Sequence, residues 1–377
     1  MKRLLILSEV YNPENFIINE LSQELSKDYQ ITVLTRSPSY PEGKIFPGFK
    51  NAFSKTEENG IVVYRIPVFL NYKSSLLPKI ANLLWQPVVY SCMAPFLKWD
   101  KLFVYQTGSL YTYTLLWPLR FTKRKTVIWS QDLWPEAGFE FGLPRIGLLE
   151  LIFNSISKFT LNHFNEILVQ SEAFQNNYKK NYNIDSKVIK NFSNVDKSRN
   201  YLDRSKSNSI IYAGNIGSVQ NLEGIIVLFE LLKSSNFPID ELKIYGDGSK
   251  YETLLSKYGN RLGITFYGRV SSLHIEEELR RCRYAIFSLN EGPIQMTIPS
   301  RLQFLYNNNI PVIYLGSGAA KDIIENTRCG VVVDSLECEV NEIIQRFKDF
   351  ELSKFITPDI FNKKQIVEQI KVVIDQD

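Results

Sequence analysis

Short apolar runs alternate with amphipathic segments along most of the chain. In the first half the apolar runs predict seven β-strands: Arg3–Ser8, Ile31–Thr35, Ile61–Pro67, Lys101–Tyr105, Thr126–Ser130, Glu166–Gln170 and Lys187–Lys190. Apolar residues spaced three or four apart predict the helices Ile17–Lys27, Thr112–Arg120, Ile146–Asn162 and Glu172–Asn181. Continuous apolar runs are typical of parallel strands buried on both faces, so the pattern favours a doubly wound α/β architecture.

The same alternation returns in the second half. The predicted strands are Ile210–Ala213, Leu242–Tyr245, Ile264–Tyr267, Tyr284–Ser288, Pro311–Leu315 and Gly330–Val333. The predicted helices are Leu222–Lys233, Tyr251–Tyr258, Ile275–Cys282, Ser300–Tyr306, Ala320–Glu325, Glu339–Phe350 and the amphipathic Lys363–Val373.

A polar, charged stretch at Asn194–Asn208 separates the two halves and is typical of a linker. We therefore expect an N-terminal Rossmann-like domain at 1–195, a C-terminal one at 196–357, and a helix within 358–377 that crosses back to the first domain. Two such domains facing a central cleft would bring the carboxyl ends of both sheets to it, where open α/β sheets bind ligands.

Composition narrows the class of protein. The 377 residues are 44% hydrophobic and 22% charged, which fits globular domains and excludes a disordered chain. A net charge of +4 is too small to indicate nucleic-acid binding, but it suits a surface that meets anionic lipid. Four scattered cysteines and two distant histidines argue against a zinc site or a disulfide framework, so we expect no metal, no cofactor and a reducing cytoplasm.

Two apolar stretches could suggest membrane targeting. The first, at the start of the chain, is too short for a signal peptide, so it predicts a strand. The second, Leu76–Leu97, contains Lys79, Asn82, Gln86 and two prolines, which makes it unsuitable as a spanning helix. It predicts a pair of helices that lie on the surface or line a groove.

The stretch Glu291–Gly318 predicts a loop, a helix and a buried strand. Thr297 is expected to cap the helix, Pro299 to occupy its first turn, and Arg301 to make this helix start an anion site. The glycines that follow the strand, Gly316 and Gly318, would let backbone approach a ligand closely. An ordinary helix–strand unit is the alternative for this stretch.

Three further strand ends in the second half carry glycine. They are Gly214-Asn215-Ile216-Gly217, Gly246-Asp247-Gly248 and Gly268-Arg269-Val270. Exposed backbone amides at such ends can bind phosphate, and a guanidinium can stack on a base. Each could equally be a tight turn or a solvated arginine, but their shared place at strand ends favours a ligand site.

Two strand ends in the first half also carry chemistry. The loop Tyr11–Asn15 could contact a ligand or be a plain turn. The run Trp129–Glu136, WSQDLWPE, combines two tryptophans with two carboxylates. Asp132 could accept a hydroxyl proton or orient an acceptor sugar, while aromatic faces suit sugar rings. The alternative is a tryptophan-rich helix start that Asp132 caps.

The series YNPEN, SPSYPEGKIFPGF, WSQDLWPE, YAGNIG, YGDG, FYGRV and TIPSR…PVIYLGSG resembles the bacterial glycosyltransferases of family 4, which have the GT-B fold. The branch it resembles builds O-antigen and capsule repeats and includes L-N-acetylfucosamine transferases. The resemblance implies a retaining, metal-independent transfer from a nucleotide sugar, with uridine as the base, to a lipid-linked saccharide at the inner face of the membrane.

The resemblance also implies roles for residues. Glu14 and Asn15 would reach the donor from the first domain, and Asp132 stands beside the usual acceptor-side histidine, here Gln131. Together the motifs and the resemblance give the catalytic candidates Glu14, Asp132 and Arg301, and the acceptor-binding candidates Gln131, Asp132, Trp134 and Glu136. The donor-binding candidates are Asn15, Gly214, Asn215, Gln220, Gly246, Gly268, Arg269, Val270, Thr297, Ser300, Arg301 and Gly318.

Departures from the family pattern leave other functions open. Relatives commonly carry acids where this chain has Met296, Phe304 and Ala319, although Gln303 matches a glutamine of the branch. An arginine and a lysine are replaced by Asn215 and Gln220, so Arg301 becomes the main phosphate cation. A degenerate protein that only binds nucleotide sugars, or a sugar-nucleotide epimerase, are the alternatives.

Overall fold

The computed structural model describes residues 1–72, 75–140, 145–193, 204, 207–336, 340–350 and 359–376. The chain divides into two compact units. The first contains Met1–Phe192 together with Lys363–Asp377, and the second contains Ser193–Asn362. Most of the expected linker, 194–203 and 205–206, lies outside the described residues.

The first unit is built on an eight-stranded sheet. Its strands are β1 Lys2–Ser8, β2 Tyr29–Arg36, β3 Ser54–Glu58, β4 Ile61–Ile66, β5 Lys101–Gln106, β6 Lys125–Ser130, β7 Glu166–Val169 and β8 Lys187–Val188. The strand order is β3-β4-β2-β1-β5-β6-β7-β8, and every pair is parallel except β3 with β4. Sequence analysis missed β3 because its residues, SKTEE, are polar and mostly exposed at the edge of the sheet.

The helices of the first unit are α1 Ile17–Leu25, α2 Leu76–Met93, α3 Glu136–Glu140, α4 Gly147–Leu161 and α5 Glu172–Tyr182. The expected helix pair at 76–97 is one α-helix followed by a 3₁₀ turn at Ala94–Phe96. The helix expected at 112–120 is present as a 3₁₀ helix, Leu110–Phe121, which contains Pro118. Its run of threonine and tyrosine has a low α-helical propensity.

The second unit is built on a six-stranded, fully parallel sheet. Its strands are β9 Ser209–Ala213, β10 Glu241–Tyr245, β11 Ile264–Gly268, β12 Tyr284–Ser288, β13 Val312–Leu315 and β14 Gly330–Val333, in the order β11-β10-β9-β12-β13-β14. Its helices are α6 Leu222–Ser234, α7 Tyr251–Tyr258, α8 Ser272–Arg281, α9 Ser300–Asn307, α10 Ala319–Thr327 and α11 Val340–Asp349. A 3₁₀ segment at Pro293–Met296 precedes α9.

Local chemistry explains the helix boundaries that sequence analysis missed. α8 begins three residues before the expected Ile275 because the Ser271 hydroxyl accepts a hydrogen bond from the His274 amide, which caps the helix. α9 begins at Ser300 with Pro299 as its N-cap, so Pro299 lies just outside the helix instead of in its first turn.

A final helix, α12 Lys363–Asp375, belongs to the first unit. Ile366, Ile370 and Val373 on its inner face are buried in the same core as Leu4 and Ile6 of β1. The Lys101 ammonium donates to the Ile374 carbonyl at 2.6 Å, as expected for a cation at a helix C-terminus.

Within the part of the chain that the structure describes, no helix combines the length and the apolarity needed to cross a bilayer.

Candidate functional site

Three neighbouring strand ends of the second unit are joined by backbone hydrogen bonds. The Gly214 amide donates to the Tyr245 carbonyl at 2.9 Å, and the Gly246 amide donates to the Gly268 carbonyl at 2.8 Å. Gly246 has φ +134°, and a Cβ placed there would lie 1.8 Å from the Gly214 carbonyl oxygen. Only glycine fits at that position, so the loops after β9, β10 and β11 form a continuous backbone ledge.

Arg301, in the first turn of α9, lies against this ledge. Its guanidinium is 5.0 Å from the centre of the Tyr212 ring, and its Nη2 occupies the space where a Cβ on Gly214 would stand, 1.1 Å away. Among the described residues no carboxylate lies within ion-pairing distance of Arg301. A partly buried guanidinium without an acidic partner is suited to bind an anion.

The start of α9 has no side-chain cap. Sequence analysis assigned that cap to Thr297, which is wrong: the Thr297 hydroxyl donates to the Ile294 carbonyl at 2.8 Å, and the N-cap is Pro299. Proline has no side-chain oxygen to accept from the helix. Among the described residues no hydrogen-bond partner is found for the first amides of α9, at Ser300 and Arg301, which lie beside the guanidinium.

Replacing Gly214 with alanine should displace Arg301. The new methyl group would occupy the position of Nη2, and φ at Gly214 is +153°, which disfavours any side chain. If Arg301 binds the diphosphate of the nucleotide that the sequence resemblance implies, the affinity for that nucleotide should fall about as far as it does when Arg301 itself is replaced with alanine, on the order of tenfold or more, measured by calorimetry.

The double variant Gly214→Ala/Arg301→Ala decides whether steric displacement is the cause. Because the arginine is already gone, alanine at position 214 should add little further loss of affinity. Gly147→Ala is the control, since a Cβ at Gly147 has no atom within 4 Å. Additive losses in the double variant would contradict the displacement.

The turn between β13 and α10 packs on the 3₁₀ segment before α9. The Ser317 hydroxyl donates to Oε1 of Gln295 at 2.6 Å, and a Cβ on Gly318 would lie 2.4 Å from the Gln295 carbonyl oxygen. The group that closely approaches the backbone at Gly318 is therefore Gln295, whereas a ligand was expected there. A lone glutamine in a loop carries no sequence signal, so the role of Gln295 was not predictable.

The remaining donor-site candidates of the second unit occupy varied positions. The side chains of Asn215 and Gln220 meet at Gly217, where an added Cβ would lie 2.8 Å from the Asn215 amide nitrogen and 3.4 Å from the Gln220 oxygen. That Gln220 oxygen is buried without a hydrogen-bond partner among the described residues. Arg269 is exposed, and Val270 packs on the apolar core.

In the first unit, β1 and β5 lie side by side where the strand order reverses. The carboxyl ends of such strands border the usual ligand crevice. Glu9 follows β1, and its carboxylate lies 2.5 Å from where a Cβ on Gly108, after β5, would stand. It accepts hydrogen bonds from Thr112 Oγ1 at 2.8 Å and from Arg36 Nη1 at 3.4 Å. Burial raises the pKa of Glu9, although Arg36 and Thr112 oppose the shift.

Sequence analysis missed Glu9 and Arg36. Both follow or end predicted strands, so the only available signal was a charged residue at a strand's carboxyl end. This crevice differs from the ledge of the second unit, because its cation is already paired with a buried carboxylate.

Asp132 follows β6 at the same end of the sheet. Burial raises its pKa to about 7, and the charge of Glu9 adds to the shift. No hydrogen bond or ion pair to Asp132 is found among the described residues. A partly exposed carboxyl with this pKa can accept a proton or a hydrogen bond from a bound hydroxyl near neutral pH.

The neighbours of Asp132 are buried. Gln131 Oε1 accepts from Gln170 Nε2 at 2.8 Å and from Asn191 Nδ2 at 2.7 Å. Trp134 packs edge-on against Tyr111, with ring centres 5.2 Å apart. Glu136 begins α3, so the expected helix start lies four residues after Asp132, which does not cap it.

The loop after β1 buries the carboxylate of Glu14. Glu14 is 2% exposed, and its Oε1 accepts from the Ser39 and Tyr40 amides at 2.8 and 2.7 Å. Its Oε2 accepts from the Tyr11 amide at 3.2 Å. The carboxylate therefore joins the loops after β1 and β2, and a catalytic role for it stays a prediction. Asn15, beside it, is exposed.

The second unit coincides with a family match. Residues 194–366 match the model described as glycosyl transferases group 1, which is less than half of the chain. No curated protein matches the sequence. The apo lipopolysaccharide outer core galactosyltransferase WaaB is similar in structure, with a TM-score of 0.65, 13% identity, and 99% of each chain covered.

Two further solved structures are similar over almost the whole chain. Sucrose-phosphate synthase from Thermosynechococcus elongatus has a TM-score of 0.67 and 12% identity, covering 99% of this chain and 98% of that one. Anabaena HepE in complex with UDP has a TM-score of 0.57 and 12% identity, with the same coverage. The chain has the GT-B fold.

The family match and the GT-B fold together indicate a glycosyltransferase. The match covers Gly214, Gln295 and Arg301, so the ledge and its cation lie within the part of the chain that is similar to group 1 transferases. Glu9 and Asp132 lie outside the matched residues.

Proposed function

We propose that the protein is a retaining glycosyltransferase of family 4 that transfers a sugar from a UDP-sugar to a lipid-linked saccharide in O-antigen or capsule synthesis. The observation that carries the proposal is the guanidinium of Arg301, which lies on Gly214 without an acidic partner among the described residues. The first donors to test are UDP-linked N-acetylhexosamines and their deoxy forms, as the sequence resemblance implies.

The second unit has the groups that a leaving diphosphate needs. As the bond between the anomeric carbon and the phosphate oxygen breaks, negative charge grows on the diphosphate. Arg301, the uncapped amides of α9 and the Gly214–Gly217 loop can stabilise that charge without rearranging. No metal ion is required in this scheme, because the cation comes from the protein.

The first unit supplies the acceptor side in this proposal. Asp132 orients the acceptor hydroxyl, while Gln131, Trp134 and Glu136 form its surroundings. In a retaining transfer the hydroxyl attacks from the face that the diphosphate leaves. Its proton passes to a phosphate oxygen of the leaving group, so Asp132 positions the acceptor and is not an obligatory base.

The proposed place of action is the cytoplasmic face of the cell membrane. A lipid-linked acceptor confines the reaction to that surface, and the net charge of +4 favours association with anionic lipid. The protein would then be peripheral to the membrane.

A non-catalytic binding protein is the second candidate. It is favoured by the positions where relatives carry acids, because here they are apolar and packed: Ala319 is buried, and Phe304 packs against the core. Such a protein would bind nucleotide sugars through Arg301 without turning them over.

A thermal-shift panel followed by a transfer assay tests the proposal. A ligand at 100 times its Kd stabilises the folded state by about 2.7 kcal/mol, which should raise the melting temperature by several degrees. We expect UDP-sugars to do this more than GDP- or ADP-sugars, and radiolabel to reach a lipid-linked acceptor. Binding without transfer to any acceptor would favour the second candidate, and no shift with any nucleotide sugar would reject both.

A further inference from the structure

Helix α2 exposes four large apolar side chains and buries two polar ones, Asn82 and Gln86. Leu77, Ile80, Leu84 and Val88 recur on one face and are 77%, 44%, 69% and 47% exposed. On the opposite face the side chain of Asn82 is buried. Its Oδ1 accepts from the Phe69 backbone amide, and its Nδ2 donates to the Phe69 carbonyl. A surface helix normally has the reverse arrangement, so the outer face of α2 is built to contact something apolar.

Helix α4 has the same reversed arrangement. It buries Ser157 and Thr160, while five large apolar side chains at its start and along it are exposed. They are Ile146, Leu148, Leu151, Ile152 and Phe159.

The 3₁₀ segment Leu110–Phe121 lies between these two helices. Tyr113 packs on Tyr90 of α2 at 6.2 Å between ring centres, and the hydroxyls of Thr114 and Thr160 of α4 are 2.7 Å apart. The segment exposes Leu115, Trp117 and Phe121. The three elements thus form one apolar surface, which we call the α2–α4 face.

The three segments that supply the α2–α4 face carry mostly positive charge. Segments 76–98, 110–125 and 145–162 contain a single acid, Glu150. Their eight basic residues are Lys79, Lys98, Arg120, Lys123, Arg124, Lys125, Arg145 and Lys158. Two of these are ion-paired, Lys125 with Glu166 and Arg145 with Glu150, so six basic residues carry the excess positive charge. This balance opposes self-association of two such faces, because like charges would meet. It complements a surface of anionic lipid headgroups.

We propose that the α2–α4 face docks flat on an anionic phospholipid bilayer, with its leucines and aromatic side chains at the level of the acyl chains and its basic residues among the headgroups. Helices of this kind lie in the interface with their apolar face inserted by about 5–10 Å. The purpose of this docking rests on the proposed function: it would hold the first unit at the membrane surface that carries the lipid-linked acceptor. The docking itself is inferred from the exposed apolar side chains and the basic residues.

Vesicle flotation tests the proposal. The protein should float with vesicles containing about one-third phosphatidylglycerol at low salt, and much less with pure phosphatidylcholine. The variant Leu84→Gln/Leu148→Gln/Leu151→Gln should reduce the floated fraction at least tenfold, since these side chains are 69%, 70% and 67% exposed. Their exposure also means that the fold should not depend on them.

The control is Leu262→Gln, a leucine of the second unit that is 89% exposed. It should float like the parent protein. Equal flotation of the triple variant and the parent would overturn the proposal, as would equal binding to neutral and anionic vesicles. A dimer seen by light scattering that the triple variant abolishes would instead assign the face to a second copy.

UDP-induced thermal shifts separate this inference from the proposed function. The triple variant should keep the shift of the parent protein, because its three leucines belong to the first unit. If the triple variant loses flotation but keeps its UDP-induced thermal shift, the substitutions have affected membrane docking by the α2–α4 face and not nucleotide binding. If UDP produced no thermal shift in the parent protein, the proposed donor site would be wrong. The flotation result would still test the α2–α4 face independently.

Discussion

Arg301→Ala is expected to weaken UDP binding by about 10- to 100-fold. Hydrogen bonds to charged groups contribute roughly 1.5–3 kcal/mol each, and 1.4 kcal/mol is tenfold in affinity. Arg301 is the cation that lies on the glycine ledge, and no carboxylate among the described residues compensates it. Calorimetry with UDP measures the loss, while the melting temperature of the ligand-free protein should change little.

Two further variants define what Arg301 contributes. Arg301→Lys keeps the charge but loses the planar pair of donors, so we expect an intermediate affinity. Arg281→Ala removes an exposed cation at the end of α8 in the same unit and should leave the affinity unchanged. If Arg301→Ala bound UDP as the parent protein does, the donor site proposed here would be wrong.

Asp132→Asn is expected to slow transfer by about 10- to 100-fold, because a hydrogen bond from the acceptor hydroxyl to a charged carboxylate contributes roughly 1.5–3 kcal/mol. UDP affinity should stay within about twofold, because Asp132 belongs to the unit proposed to bind the acceptor. Asparagine keeps the shape of the side chain but cannot become a carboxylate. Since the pKa of Asp132 is about 7, the transfer rate of the parent should rise with pH across neutrality, and that of the variant should not.

The same substitution should make the protein more stable at pH 8. An aspartate in an unfolded chain has a pKa near 4. The folded pKa of about 7 means that the folded protein holds a proton that the unfolded chain has lost, so the free energy of unfolding falls as pH rises from about 4 to 7. The full difference of about three in pKa would be about 4 kcal/mol, and partial solvent screening reduces the expectation to roughly 1–3 kcal/mol.

Denaturant unfolding at two pH values measures that gain. Asp132→Asn should exceed the parent in stability at pH 8, and the difference should nearly vanish below about pH 3, where Asp132 is protonated in both the folded and the unfolded chain. Four titratable groups interact electrostatically with Asp132: Glu9, Tyr40, Tyr105 and Tyr178. Glu9 is the carboxyl among them, so the titrations of Asp132 and Glu9 are coupled. Equal losses of transfer and of UDP binding would show that Asp132 is structural.

The sheets were predictable because their signal is local. Strands such as β1, β6 and β12 are continuous apolar runs, and burial on both faces requires that composition. The missed elements lack this signal. β3 is polar and forms because it pairs with the edge of β4. The segment 110–121 has a helix-like apolar pattern, but that pattern does not distinguish a 3₁₀ helix from an α-helix.

Site residues were predictable only where the identity of one residue at a strand end or helix start was enough to indicate its role. An arginine after a proline at a helix start and glycines at strand ends are visible in the sequence, but the distance between Arg301 and Gly214 is not. Glu9 and Gln295 were missed because their roles depend on what folding places beside them. Glu14 shows the converse, since its carboxylate looked available and is filled by three backbone amides.

Helix α12 imposes an order on the synthesis of this protein. It completes the core of the first unit, where it meets β1 and the Lys101 side chain, yet it is translated after the entire second unit. At bacterial or eukaryotic elongation rates the ribosome needs roughly ten to thirty seconds to pass through the second unit. Throughout that time part of one side of the first sheet is uncovered, because among the described helices α1 alone packs against the core that α12 completes. The second unit can therefore reach its final form first, although it is encoded later than most of the first unit, and the first unit is complete only when α12 emerges.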